Sequence, residues 1–146
     1  MRVTLHRGET LAADERTLVR RAALGPLLRG AGDALGVSAR AGLAVRLTDD
    51  HELHHLNRAH RGTDAVTDVL AFVGDDPGWV GDIAISVPRA RLQRADDPAA
   101  ELRLLAIHGL LHCLGHDHED AVGAAAMTTE TQRLLPGDDV PVLAAP

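Results

Sequence analysis

The chain has 146 residues, 45% apolar and 25% charged, the balance of one ordinary globular domain and not of a disordered chain. Its fifteen cations, all of them arginine, stand against 21 acidic residues and leave a net charge of −6. That balance argues against a protein that coats nucleic acid non-specifically, and with Phe72 and Trp79 as the only aromatic residues, base stacking on an aromatic platform is disfavoured too.

Residues 2–7 alternate in polarity as a half-buried strand does, and 14–35 carry leucines at helical spacing with Asp14 as the expected cap. Gly25-Pro26 is expected to kink or divide that helix. LAVRLT at 43–48 reads as a strand, followed by a short helix opening at Asp49 or Asp50. TDVLAFV from Thr67 and WVGDIAISV from Trp79 flank the turn-rich GDDPG and form an expected antiparallel hairpin. An arginine-rich stretch after Pro88 leads to a helix announced by Asp97 as N-cap and Pro98 at its first position, ending at Leu114 before Gly115. A last amphipathic helix spans roughly 119–135, and the tail 136–146 is expected to be weakly ordered. Residues 1–146 thus read as one domain. The single cysteine, Cys113, excludes an internal disulfide, the first residues lack a secretory pattern, and no apolar run reaches the ~20 residues of a membrane span. A cytoplasmic location is the expectation, with no membrane partner.

Positions 108–118 read HGLLHCLGHDH. His108 and His112 fall on one helical face, and Gly115 permits the reversal that returns His118 to them. Leu104, Leu105 and Leu111 flank this stripe, so it points into protein, where imidazoles need partners. Three histidines on one zinc ion leave the fourth position for water, whose pKa falls to ~7, a catalytic arrangement and not a structural one. His116 reads as a turn residue or a proton donor beside the site. Asp117 is either an orienting carboxylate or a cap for the next helix, and Cys113 is a small core residue.

HELHH at 51–55 also satisfies H-E-x-x-H, the zinc-peptidase pattern. On a helical projection, however, His51 and His55 lie away from Leu53 and Leu56, the apolar residues that would dock the helix. Arg58 and Arg61 stand where the extended peptidase pattern wants glycine and histidine. In the 108–118 segment Gly109 stands where a peptidase places its glutamate.

HGLLHCLGHDH resembles the signature H-G-x-L-H-L-x-G-aromatic-D-H of the YbeY family of bacterial endoribonucleases. LNRAHRGTDAVTDVLAF at 56–72 and GDIAIS at 81–86 resemble further motifs of that family in the same order. The resemblance implies an α+β fold: a small, mostly parallel four-stranded sheet with one antiparallel strand, packed with about five helices. It implies a zinc-dependent, single-strand-specific endoribonuclease of ribosomal RNA maturation and ribosome quality control, with single-stranded RNA, expected to be ribosomal RNA, and the ribosomal small subunit or its proteins as partners. Carried over by position, one Zn2+ per chain is held by His108, His112 and His118, and Arg61 is the functionally important arginine, suited to grip phosphate in two places. An ion pair of Arg61 with Asp64 or Asp68 is its structural alternative. Arg89, Arg91 and Arg94 either extend a positive track or belong to a solvated helix entry. The chain departs from the family pattern at His60, Thr63, Val66, Ala71 and His116. Attack by zinc-bound hydroxide or by the RNA 2′-hydroxyl both remain open, as do two rival classes: a peptidase at HELHH and a ribosome-binding protein with a purely structural zinc.

Overall fold

In a computed structural model the described residues are 1–61 and 68–145, with Arg61 described in its backbone alone. Four strands form one sheet: β1 (Arg2–Arg7), β2 (Gly42–Thr48), β3 (Val69–Asp76) and β4 (Trp79–Ser86), in the order β1-β2-β4-β3. β1, β2 and β4 run parallel, and β3 lies antiparallel to β4 at one edge. The expected α+β architecture with a mostly parallel sheet and one antiparallel strand is therefore present.

Six helices accompany the sheet among the described residues, one more than the expected five or so: α1 (Ala13–Ala22), α2 (Leu24–Ala34), α3 (Asp50–Arg61), α4 (Val87–Gln93), α5 (Pro98–Cys113) and α6 (Ala121–Leu134). The extra one is α4, in the stretch read only as arginine-rich. Ser86 caps it by accepting the Arg89 amide, and Pro88 sits in its first turn, where a missing N–H costs nothing. The break in the first helical stretch falls at Ala23, in the left-handed conformation (φ 52°), and not at Gly25-Pro26. Pro26 instead occupies the first turn of α2, where its ring is tolerated. Asp14 lies inside the first turn of α1, and Glu15 accepts the Ala12 amide in place of the expected cap.

Leu43, Val45 and Leu47 of β2 and Ile83 and Ile85 of β4 face one side of the sheet, where they meet Leu24 and Leu28 of α2 and Leu102, Ile107 and Leu110 of α5 in the main core. The opposite face carries α3, docked through Leu53 and Leu56 on Leu70, Phe72 and Ala84. α5 is the central helix of the core, and Gly109 lets it approach the sheet: a Cβ there would stand 2.8 Å from Ile83 Cγ2. The tail expected to be weakly ordered has no regular element, yet Val140 and Leu143 pack on the core and the Leu143 amide donates to Thr128 Oγ1 at 3.0 Å.

Candidate metal centre

The end of α5 builds the site. Asp97 caps its start by accepting the Ala100 amide, with Pro98 at the first position as expected. At its end Gly115 takes φ 97°. The His116 amide donates to Leu111 O and the Gly115 amide to His112 O, the paired reversal that a left-handed glycine makes possible. This turn brings His118 back beside the helix.

The three imidazoles form a near-regular triangle, with ring centroids 4.6 Å apart for His108 and His112, and 5.4 Å from each of these to His118. One ring nitrogen from each lies within 4.8 Å of the others, and this is the one such group of histidine, cysteine and acidic side chains among the described residues. They line an open cleft of about 500 Å³, together with Gly109, Asp68 and the β3 residues Val69, Ala71 and Val73.

The arrangement suits a cation in three respects. His108 Nε2 and His112 Nε2 are 3.0 Å apart, where two neutral imidazoles satisfy at most one lone pair between them. His118 Nδ1 is buried without a hydrogen-bond partner among the described residues. Protonation is no remedy, because burial, helped by the neighbouring His112 and His118, pushes the His108 imidazolium down to about 4. A tetrahedral zinc ion bonded to nitrogen at 2.0–2.1 Å separates its ligands by about 3.3 Å, a spacing these rings reach by small side-chain rotations.

The other sequence-level candidates sort as follows. His51 and His55 are exposed, and Glu52 is engaged in an ion pair with Arg46, so the HELHH pattern assembles no metal group among the described residues. His116 is half-buried outside the triad. Asp117 accepts the Glu119 amide in a local turn, while Asp120 caps α6, so the capping role expected of Asp117 belongs to Asp120. Cys113 is buried, and burial raises its thiol to about 11, as befits a core residue. Arg89, Arg91 and Arg94 pair with Asp50, Asp14 and Glu101 respectively. Each cation has an acid within 3.4 Å, so they form no free positive track, and Arg91 is the exposed one of the three. His60 sets its ring edge-on to Phe72 at 5.4 Å, a packing role. The Arg61 side chain and residues 62–67, Thr63 and Val66 included, lie outside the described residues.

Asp68 is the residue the sequence undervalued. It lines the cleft, accepts from Gln93 Nε2 at 3.1 Å, and electrostatically favours a charge on His108. The sequence signal was its place directly before the strand that walls the cleft.

The chain is similar to known proteins in sequence and in fold. The family profile described as Endoribonuclease YbeY matches residues 14–137. The chain is 42% identical to the endoribonuclease YbeY of Moorella thermoacetica, over 78% of this chain and 83% of that protein. It is 33% identical to that of Shouchella clausii, over 88% of each. The solution structure of a Thermotoga maritima protein superposes with a TM-score of 0.59 at 24% identity, covering 92% of this chain and 85% of the other, a likeness of fold. No helix of the described residues is long and apolar enough to cross a membrane.

Proposed function

The chain belongs to the endoribonuclease YbeY family, and from that membership we propose that it is a zinc-dependent endoribonuclease specific for single-stranded RNA, acting in ribosomal RNA maturation and ribosome quality control. The observation that carries this reading is the convergence of His108, His112 and His118 in an open cleft. In this reading residues 1–146 are one hydrolase domain working in the cytoplasm, with ribosomal RNA as substrate and the ribosomal small subunit or its proteins as partners.

His108, His112 and His118 hold one zinc ion per chain. When bound, it supplies Lewis acidity toward the phosphodiester and toward water. The depressed basicity of His108 keeps that imidazole neutral and able to ligate at physiological pH. Arg61 binds phosphate and stabilises the charge that develops on it. Asp68, held by Gln93, is the general base at the cleft wall. It accepts the proton of the attacking hydroxyl, which is either that of water or the substrate's own 2′-hydroxyl. End-group analysis separates these two, since attack by the 2′-hydroxyl leaves a 2′,3′-cyclic phosphate or its opened product.

Chelation should abolish cleavage of a single-stranded RNA, added zinc should restore it, and a duplex of the same sequence should stay intact. Full activity in chelator, or equal cutting of the duplex, contradicts the reading. Asp68→Asn should lower the cleavage rate by about 10²–10⁴-fold, the usual contribution of a general base, with zinc content unchanged. Arg61→Ala should lower it by about 10²–10³-fold, as loss of a charge-stabilising donor does.

A further inference from the structure

The face of α5 that carries the histidines continues toward the start of the helix. Glu101, Leu104, Leu105 and His108 stand at i, i+3, i+4 and i+7, the spacing of one helical face. With Val140 and Leu143 of the tail they line a second pocket of about 150 Å³. Asp68, Val69 and His108 line both this pocket and the metal cleft. The two are therefore one recess, with the metal ligands at one end and a carboxylate at the other. Seven residues at 1.5 Å per residue put Glu101 about 10 Å along the axis from His108, the reach of one nucleotide from its phosphate to the far edge of its base.

Glu101 is 8% exposed, and its ion pair among the described residues is loose: Oε1 lies 3.4 Å from Arg94 Nε, against about 2.7–2.9 Å for a good charge-assisted bond. Burial outweighs the pull of Arg94 and holds the carboxyl above the usual carboxylate range. A buried carboxylate so poorly compensated is a strong acceptor for any donor that enters the pocket.

We propose that this pocket is a base-reading subsite for guanine, with Glu101 accepting from guanine N1–H and N2–H while the nucleotide's phosphate lies at the histidine centre. The proposal rests on the endoribonuclease reading above and extends it to sequence preference. Guanine is the base whose pairing edge offers two adjacent N–H donors. Adenine and cytosine set an acceptor beside their amine, and uracil flanks its N–H with carbonyl oxygens, each of which would face a carboxylate oxygen. The walls of Leu104, Leu105, Val140 and Leu143 suit the faces of a ring. A cavity of about 150 Å³ takes a benzene-sized ring, so guanine's six-membered ring enters and the rest of the nucleotide remains in the shared recess.

Calorimetric binding of the 3′- and 5′-monophosphates of guanosine, inosine and adenosine to the zinc-supplied chain isolates the base, because all share the phosphate and inosine lacks only the N2 amine. Guanosine monophosphate should bind about tenfold more tightly than the other two, the discrimination of one bidentate contact, and Glu101→Gln should erase that preference. Val140→Trp, on the tail that packs over α5, should fill the pocket and also erase it, with circular dichroism showing that the variant is folded. Binding of all three nucleotides within twofold, or a guanosine preference that survives both substitutions, overturns the proposal. A guanosine preference in a chain that cuts no RNA upholds the pocket and sinks the endoribonuclease reading. Cleavage indifferent to guanine, with no nucleotide preference, does the reverse.

Discussion

The residues of the recess differ in how visible they are from sequence. The three histidines announce themselves because a helical face and a helix-ending glycine are both properties of local spacing. Asp68 and Glu101 do not, since nothing in their spacing says that β3 and α5 meet beside them or that Glu101 is desolvated there. Glu101 makes that desolvation measurable. Its carboxyl is raised above the ordinary value by burial, opposed by Arg94 and assisted by Asp68. Its favourable contribution to folding is therefore present below the unfolded pKa of about 4.5 and lost as pH rises through the higher folded value. Glu101→Gln removes that titration, so melting temperatures should show the variant gaining on the parent chain between pH 4 and pH 7. A difference that is flat or falls over that range would contradict the burial argument.

At the scale of elements, punctuation residues decided what could be read. The Asp97-Pro98 start and Gly115 end of α5 were legible because capping and left-handed turns are local chemistry. α4 was missed although Ser86 and Pro88 supplied the same signals, because seven residues with three basic or polar side chains show too little periodicity to outweigh a loop reading. The α1–α2 break was assigned to the stronger breaker, Gly25-Pro26, when proline is harmless in a first turn and Ala23 bears the strain. Gly109 shows what local reading leaves out. By propensity alone, Gly109→Ala should strengthen a helix by about 1 kcal/mol. Here the added methyl would meet Ile83, a stiff β-branched side chain 1% exposed, and overpacking of that kind costs about 1–3 kcal/mol. The expected net result is a melting temperature lower by a few degrees with weakened zinc binding, since α5 must move away from the sheet and carry His108 and His112 with it. A more stable variant with unchanged zinc affinity would show that the close approach does not position the ligands.

For the molecule as a whole, the hairpin made the one antiparallel pair legible, whereas the mostly parallel sheet was implied by the family resemblance: β2 and β3 are joined through α3 and still run in opposite directions. What could not be read was which faces meet: the pairing of Arg89, Arg91 and Arg94 with acids from three other parts of the chain, and the tail laid over α5 and α6. Both depend on long-range contacts that no local pattern encodes. The arginine pairings also bear on how RNA is held. With those three cations each beside an acid and a net charge of −6, RNA binding is expected at the recess and not over a broad basic surface. The most direct measurement is the zinc content of the purified chain and of His112→Ala, each paired with cleavage of one single-stranded RNA. A zinc-dependent nuclease centred on the three histidines should carry about one zinc ion per native chain and cleave, and should lose both in the variant. A native chain that cuts RNA without metal, or a variant that keeps both zinc and activity, would contradict this reading.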